Sequence, residues 1–197
     1  MTSHYFNDDP DVPSARRRIS VDLPDSSFEM ETDTGVFSHG RLDAGTKVLL
    51  MEAPALPPAG DLLDLGCGAG PIALTMARRA PGSRVWAVDV NSRARELTAH
   101  NARTLSLNNV TVAAPDDVPD DVRFDVIWSN PPIKVGKDEL HSLLLRWLPR
   151  LAPNGRAVLV VNKNLGSDSL QRWLRERGYT VDRIASRQGY RILVVSA

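Results

Sequence analysis

Beyond residue 60, short apolar segments alternate with segments in which apolar side chains recur at helical spacing. The first pattern is typical of buried strands, and the second of helices that bury one face. Strands are therefore predicted at residues 62–65, 84–88, 110–113, 124–128, 157–161, 180–184 and 190–195. Helices are predicted between them at residues 71–80, 91–106, 138–151 and 167–177.

The alternation over residues 61–177 predicts an α/β fold, with right-handed crossovers and a mostly parallel sheet covered on both faces. The last two strands follow each other without a helix and can form an antiparallel edge. Weaker signals come earlier: strands at 17–23 and 28–32, a short helix at 42–52 and a Pro-rich connector at 53–60. Residues 1–16 are predicted to be a flexible lead to a single domain over 17–197.

The composition is that of an ordinary globular protein. Apolar residues make up 42% of the 197 residues and charged residues 24%, and a single cysteine rules out a disulfide framework. No apolar run reaches the roughly 18 residues that span a bilayer, and the polar start of the chain has no signal-peptide core. We therefore expect a soluble, cytoplasmic protein with no membrane partner, either a monomer or a weak dimer.

The net charge of zero conceals opposite charges along the chain. Residues 1–33 carry eight acidic and three basic side chains, whereas residues 140–197 carry three acidic and ten basic ones. A basic C-terminal third can present a positive face to a polyanion such as a nucleic acid. The same arginines can equally be the solvated faces of helices, so charge alone does not decide between the two interpretations.

Three closely spaced glycines follow the first strand of the alternating region. Gly66, Gly68 and Gly70 lie between that strand and a helix, where glycines let a ligand approach the backbone and free helix N–H groups favour anions. A dinucleotide-binding turn has its third glycine one residue later, where this chain has Pro71. The tighter spacing suits S-adenosylmethionine better than NAD; the alternative is a tight turn that binds no ligand.

Two carboxylates flank the glycine turn. Asp64 precedes the turn and is expected beneath it, where it would organise backbone N–H groups or reach an amino group of the ligand through water. Asp89 ends the next strand, 19 residues after Gly70, where a carboxylate can accept hydrogen bonds from both hydroxyls of a ribose. Cys67 is interpreted as a small packing residue within the turn, since nothing nearby indicates a nucleophile. No group of side chains has the spacing of metal ligands, so no metal is expected.

Asn130 and the two prolines after it follow the strand predicted at 124–128. They should lie at the carboxyl end of a central strand, beside the glycine turn, with Pro131 and Pro132 holding the backbone rigid. The Asn130 side-chain oxygen and the Pro131 carbonyl can both accept hydrogen bonds from one exocyclic amine. Such an amine is a poor nucleophile because its lone pair is delocalised, and two acceptors on its hydrogens direct the lone pair toward an electrophile. The alternative is a plain Pro-rich turn.

Together these residues resemble the class I S-adenosylmethionine-dependent methyltransferases. The chain is most similar to the small-subunit ribosomal RNA guanine-N2 methyltransferases and their single-domain relatives, over about residues 17–197. The resemblance rests on residues 35–38, 43–46, 64–70, 89, 91, 130–137 and 189–191. It implies a Rossmann-like sheet of seven strands with the last one antiparallel. In this arrangement residues 17–60 cover cofactor and substrate, and residues 61–197 form the core.

The resemblance also implies roles for individual residues. The catalytic group that holds the target amine comprises Asn130, Pro131, Pro132 and Ile133. The residues that bind S-adenosylmethionine are Phe37, Asp64, Gly66, Cys67, Gly68, Gly70, Asp89, Asn91, Asn130, and Asp116 or Asp117 near the adenine. Ser38 and the turn at 43–46 would line the same pocket.

Basic residues near the Asn-Pro-Pro motif are candidates for contacts with RNA. Lys134 and Lys137 suit phosphate contacts beside a flipped-out base, although they can equally be an ordinary solvated helix start. Arg187, Tyr190 and Arg191 would extend this surface, although Tyr190 can instead be part of the sheet packing. The expected partner is RNA, and among RNAs a ribosomal one.

Three functions are compatible with the sequence. The first is methyl transfer to the N2 amine of a guanine in RNA, and the second is methyl transfer to another amine, of adenine N6, a protein glutamine or a small molecule. The third is a non-catalytic RNA-binding module with the same fold. Ile133 favours guanine N2 over adenine N6 or a protein glutamine as the target, because adenine-N6 and glutamine methyltransferases typically have an aromatic residue at that position.

Overall fold

The computed structural model describes residues 12–132 and 136–197. Its strands are β1 (Arg17–Leu23), β2 (Ser26–Thr32), β3 (Ala59–Leu65), β4 (Gly82–Val88), β5 (Val110–Ala113), β6 (Phe124–Ser129), β7 (Leu151–Asn162), β8 (Thr180–Arg187) and β9 (Tyr190–Ser196). Its helices are α1 (Ala44–Glu52), α2 (Pro71–Arg79), α3 (Ser92–Thr104), α4 (Lys137–Trp147) and α5 (Ser167–Glu176). Among the described helices, none is long and apolar enough to cross a membrane.

Seven strands form one sheet in the order β5-β4-β3-β6-β7-β9-β8. β3, β4, β5, β6 and β7 pair in parallel, and β9 is antiparallel to both of its neighbours, β7 and β8. The last strand of the chain is therefore the antiparallel one, which confirms the predicted fold class. β1 and β2 form a separate antiparallel hairpin.

Alternate side chains of the strands face two different helix layers. On β3, Leu62 is buried in a core built with α1, α2, α3 and the hairpin, whereas Leu63 is buried in a second core built with α4 and α5. Both side chains are completely buried. A strand that is covered on both faces has no polar alternation, which is why the strands appear in the sequence as short continuous apolar runs.

The N-terminal hairpin is fastened to the rest of the domain through α3. The Asn101 side chain accepts a hydrogen bond from the Glu31 N–H at 2.8 Å and donates to the Glu31 carbonyl at 2.9 Å. The same amide group donates to the Ala69 carbonyl at 2.9 Å. One buried side chain thus joins β2, α3 and the turn that follows β3.

The residues directly before the hairpin are also held against the domain. The Asp33 carboxylate accepts hydrogen bonds from Ser14 Oγ at 2.7 Å and from the Ala15 N–H at 2.6 Å, and Arg93 donates to the Val12 carbonyl at 2.7 Å. The last residues of the predicted lead thus contact the end of β2 and α3. Residues 1–11 lie outside the described residues.

Two predicted boundaries move at the β7 end of the sheet. The helix predicted to reach residue 151 ends at Trp147, because Pro149 has no N–H to continue it and a 3-10 turn follows at Leu148–Arg150. β7 begins at Leu151, earlier than the predicted residue 157, and an irregularity in its pairing with β6 follows this start. This part of the strand was not predicted because Asn154, with φ of +65°, and the glycine after it interrupt the run of apolar residues.

Candidate active site

The carboxyl ends of the parallel strands meet at one edge of the sheet, and three predicted groups meet there. Because β3 lies between β4 and β6, the glycine turn after β3 is flanked by Asp89 after β4 and by Asn130 after β6. The Ser129 hydroxyl donates to the Leu65 carbonyl at 2.7 Å and ties the ends of β6 and β3 together. Ligands of open α/β sheets bind at such an edge.

The glycines of the turn serve different purposes. Gly66 has φ of +79°, and a Cβ at this position would meet no atom within 4 Å, so its backbone faces open space. Gly70 has φ of +94°, and a Cβ there would lie 2.9 Å from Thr98 Cγ2. Gly66 therefore leaves room for a ligand against the backbone, whereas Gly70 is needed for packing against α3.

The Asp89 carboxylate organises the turn. Its Oδ2 accepts a hydrogen bond from the Gly68 N–H and its Oδ1 one from the Asn91 N–H, both at 2.9 Å. Burial raises the pKa of Asp89, and these two hydrogen bonds oppose that shift. Each carboxylate oxygen keeps a further lone pair, so the group can still accept hydrogen bonds from two hydroxyls of a ligand.

Asp64 is the most deeply buried carboxyl group of the site. It is completely buried, and its Oδ2 accepts a hydrogen bond from the Ala73 N–H at 2.8 Å, in the first turn of α2. Its Oδ1 is buried and accepts no hydrogen bond within the part of the chain that the structure describes. A buried carboxyl oxygen without a partner, next to an open glycine turn, fits a polar group of a ligand at this place.

Burial raises the pKa of Asp64 to about 8; the Ala73 N–H lowers it and the charge of Asp89 raises it further. The unfolded chain loses this proton near the ordinary value of 3.8, whereas the folded chain keeps it up to about 8. Folding therefore takes up a proton between these values, and the contribution of Asp64 to the free energy of unfolding falls as the pH rises through this window.

We expect Asp64→Asn, which cannot ionise, to gain stability relative to the natural chain as the pH is raised from about 5 to about 8, by at most about 1.4 kcal/mol per pH unit. Urea denaturation of both chains without cofactor measures this difference, and the contributions of the other carboxylates cancel in it. A difference that is constant with pH would show that Asp64 is already ionised in the folded protein.

Three further predicted cofactor residues lie around the turn with different roles. Cys67 is buried, with Sγ 3.6 Å from Thr98 Oγ1, and burial raises the pKa of its thiol, which agrees with a packing residue. Asn91 caps α3 and also donates to the Gly35 carbonyl at 2.9 Å, so it holds the N-terminal segment beside the site. Phe37 is 49% exposed, and its Cβ would lie 3.9 Å from a Cβ on Gly68.

The two candidates for a contact near the adenine lie in the 3-10 turn after β5, at Pro115–Asp117. Asp116 forms an ion pair with Arg146 of α4 at 2.7 Å, on an exposed surface. Asp117 is exposed beside it. Both aspartates stay candidates for a contact with the cofactor.

The Asn130 side chain is held by the N-terminal end of α1. Its Nδ2 donates to Asp43 Oδ2 at 2.8 Å and to Thr46 Oγ1 at 3.0 Å. Both amide hydrogens are thus used within the protein, and Oδ1, which has no partner among the described residues, can accept a hydrogen bond from a ligand. Pro131 is buried, while Ile133 and Lys134 lie outside the described residues.

The residues predicted to contact RNA differ in their exposure and in their contacts within the protein. Arg187 is exposed and pairs with Glu52 at 2.6 Å, and Lys137 is exposed at the start of α4. Arg191 is only 17% exposed and is bound to Ser167 and Asp168, so its guanidinium supports α5. The ring of Tyr190 packs over Gly45, where a Cβ would lie 2.8 Å from its Cε1.

Sequence reasoning missed the residues that support the site from α3. Thr98 donates to the Gly68 carbonyl at 2.9 Å, and Asn101 donates to the Ala69 carbonyl at the same distance. Both are buried polar side chains, three positions apart, on the apolar face of the helix. In the sequence, only their position on the apolar face of the helix indicates such a role, because a buried polar side chain needs a hydrogen-bond partner. Among the described residues, no group of three or more side chains could hold a metal ion.

The sequence is similar to a known family and to several known proteins. The model of the methyltransferase small domain family matches residues 27–194. The chain is 32% identical to the uncharacterized protein YbxB of Bacillus subtilis over 98% of both chains. It is 37% identical to the ribosomal RNA small subunit methyltransferase C of Pseudomonas aeruginosa, over 80% of this chain and 48% of that protein.

A solved structure shows the same fold. The 16S rRNA guanine-N2 methyltransferase RsmC of T. thermophilus, in complex with AdoMet and guanosine, has a TM-score of 0.73 at 24% identity. The match covers 95% of this chain and 52% of that one. The chain thus spans about half the length of the relatives that are named as ribosomal RNA methyltransferases.

Proposed function

Because the chain belongs to the methyltransferase small domain family and is a class I S-adenosylmethionine-dependent methyltransferase, we propose that it methylates the N2 amine of a guanine in small-subunit ribosomal RNA. The observation that carries this proposal is the position of Asn130 at the end of β6, beside the open glycine turn. Its amide hydrogens are bound to the protein and its oxygen is left for an amine.

The residues that would hold the cofactor follow from their places at the edge of the sheet. The backbone at Gly66 would let the cofactor lie against the turn, Asp89 would accept hydrogen bonds from its ribose hydroxyls, and Phe37 would cover it from the N-terminal side. Asp64 would reach its amino group through water. When bound, S-adenosylmethionine supplies a methyl group that is already activated on a sulfonium centre.

The residues of this chain then act on the acceptor. Asn130 Oδ1 and the Pro131 carbonyl accept hydrogen bonds from the two hydrogens of the exocyclic amine and direct its lone pair toward the methyl group. The prolines keep these two acceptors at a fixed distance from each other. The proton can leave to solvent after the transfer, so orientation of the amine is the main contribution of the protein.

The distribution of lysine supports RNA as the substrate. The chain has 20 arginines and only four lysines, and the three lysines within the described residues are exposed. Lys137 begins α4 after β6 and Lys163 follows β7, so both lie at the carboxyl edge of the sheet, whereas Lys47 of α1 is near Asp22 of the N-terminal hairpin. Flexible cations around a site suit phosphates of variable position. A ribosomal RNA also agrees with the cytoplasmic location predicted from the sequence, and several relatives are named for this substrate.

We expect Lys137→Ala and Lys163→Ala each to weaken RNA binding and to reduce the dependence of log affinity on log salt by roughly 1, because each removes one phosphate contact. Titration of RNA at several salt concentrations measures this. Arg103→Ala is the matched control, since Arg103 is exposed at the opposite end of α3 and should change neither quantity. If the dependence of log affinity on log salt were equal in all three variants, these lysines would not contact the RNA.

The proposed reaction is tested by incubating the protein with labelled S-adenosylmethionine and unmodified small-subunit RNA, large-subunit RNA or tRNA, both free and assembled. The labelled nucleoside is then identified by mass spectrometry. N2-methylguanosine in small-subunit RNA supports the proposal. Label on adenosine, or label only on protein or small molecules, would overturn the guanine assignment and favour another amine.

A further inference from the structure

We propose that Asp43 and Thr46 are positioning residues that fix which end of the Asn130 side-chain amide faces the substrate. This inference rests on the proposed function, because it assigns them a role in orienting the acceptor amine. The sequence resemblance places both residues only in the lining of the cofactor pocket. Their hydrogen bonds connect them instead to the group that holds the amine.

The two hydrogen bonds account for both hydrogens of the Asn130 amide. Nδ2 lies 2.8 Å from Asp43 Oδ2 and 3.0 Å from Thr46 Oγ1. An amide NH₂ group has two hydrogens, so no donor remains for a ligand at this side chain. The only group that Asn130 can offer to a substrate is therefore its oxygen.

The carboxylate of Asp43 determines the orientation. A carboxylate accepts hydrogen bonds and donates none, so a flipped amide would set two acceptor oxygens against each other at hydrogen-bond distance. Thr46 alone would not exclude the flip, because a hydroxyl can donate to the amide oxygen as readily as it accepts from the nitrogen. Asp43 selects the orientation, and Thr46 completes the pairing.

The position of Asp43 is itself fixed at the start of α1. It caps α1, and its Oδ2 accepts a second hydrogen bond from the Thr46 N–H at 2.9 Å. A Cβ at Gly45 would lie 3.0 Å from Asp43 Oδ2 and 2.8 Å from the ring of Tyr190, so only glycine fits between these two side chains. Thr46 is 3% exposed. The N-terminus of α1 also favours a negative charge at this position.

This arrangement has a consequence for the substrate. The site presents acceptor oxygens, from Asn130 and from the Pro131 carbonyl, and so it selects a group with two hydrogens to donate. If the amide could flip, an NH₂ group would face the substrate amine, and two donors would oppose each other. Loss of the Asp43 acceptor oxygen should therefore impair catalysis although Asn130 itself is unchanged.

The decisive variant is Asp43→Ala, which removes the oxygen that both caps α1 and accepts from Asn130. Asp43→Asn is its conservative companion, because an asparagine that caps α1 keeps an acceptor oxygen toward Asn130. Thr46→Val removes the hydroxyl, and Thr46→Ser restores it. Asp25→Ala is the matched control for loss of a carboxylate, since Asp25 pairs with Arg79 at the opposite edge of the sheet. We expect Asp43→Ala to lower kcat roughly tenfold or more, with cofactor affinity unchanged within about twofold, and Asp43→Asn to keep most of the activity.

Two measurements separate positioning from a general structural role. The side-chain NH₂ of Asn130, observed by NMR in asparagine-labelled protein without substrate, should exchange slowly with water, lose this protection in Asp43→Ala and Thr46→Val, and keep it in Asp43→Asn. In a double-mutant cycle, Asp43→Ala should have little further effect on kcat once Asn130→Ala is present. Thr46→Ser should keep at least about half of the natural kcat.

The outcomes distinguish this inference from the proposed function. If Asn130→Ala loses activity while Asp43→Ala keeps both full kcat and a protected Asn130 amide, the positioning role is wrong and the proposed function stands. Additive losses in the double-mutant cycle would likewise overturn the positioning role. If Asn130→Ala retains full activity, the proposed function fails, whatever the NMR spectrum shows.

Discussion

Asn130→Ala should lower kcat for methyl transfer by roughly 100-fold and leave the affinity for S-adenosylmethionine within about twofold of the natural value. The substitution removes an acceptor that acts on the amine, and the glycine turn and Asp89 stay in place. A loss confined to kcat is the sign of an interaction made mainly in the transition state. Single-turnover transfer and calorimetric titration of the cofactor measure the two quantities separately.

Asn108→Ala is a suitable control for this experiment. Asn108 is exposed in the turn before β5, at the opposite edge of the sheet, so the same change of residue type should leave both quantities unchanged. Full activity in Asn130→Ala would contradict the proposal that Asn130 accepts a hydrogen bond from the substrate amine. A loss of cofactor affinity as large as the loss of kcat would place Asn130 in the cofactor site instead.

Asp89→Ala should weaken the binding of S-adenosylmethionine at least about 100-fold and leave RNA affinity unchanged. The variant loses the acceptors for the ribose hydroxyls and also releases the Gly68 and Asn91 N–H groups that the carboxylate holds at 2.9 Å. The turn then loses both a contact to the ligand and its own organisation. Calorimetric titration of cofactor and filter binding of RNA give the two affinities.

Asp89→Asn is the informative companion, because it keeps one acceptor oxygen and should bind the cofactor with intermediate affinity. The two Asp89 variants also test the alternative function, a non-catalytic RNA-binding module. In such a module neither substitution would matter to the function, and the natural chain would bind S-adenosylmethionine weakly or not at all. Tight cofactor binding that survives in Asp89→Ala would remove Asp89 from the cofactor site.

Much of the architecture follows from local patterns in the sequence. Leu62 and Leu63 are buried in opposite helix layers, and such pairs make the central strands visible as apolar runs. The glycine turn, Asp89 and Asn130 come together because parallel strands end at a common edge. The extended β7 is missed because Pro153 and Gly155 interrupt its apolar pattern, and the end of α4 is misplaced because Pro149 closes the helix early.

The supporting contacts of the site are not visible in the sequence, because they join residues that are far apart in the chain. Asn130 and Asp43 are 87 positions apart, and Asn101 and Glu31 are 70 positions apart. No local pattern relates the members of such pairs. The resemblance identifies the turn at residues 43–46 as part of the site, but the direction of its hydrogen bonds comes only from the structure.

The most direct test of the proposed amine acceptor uses RNA in which guanine is replaced by inosine, which lacks the N2 amine and keeps the rest of the base. Small-subunit RNA is transcribed with guanosine or with inosine, and labelled methyl transfer to each is measured with the natural chain. The account predicts transfer to the guanosine RNA, recovered as N2-methylguanosine, and none to the inosine RNA. Equal transfer to both RNAs would contradict the claim that Asn130 and Pro131 hold the exocyclic amine of a guanine.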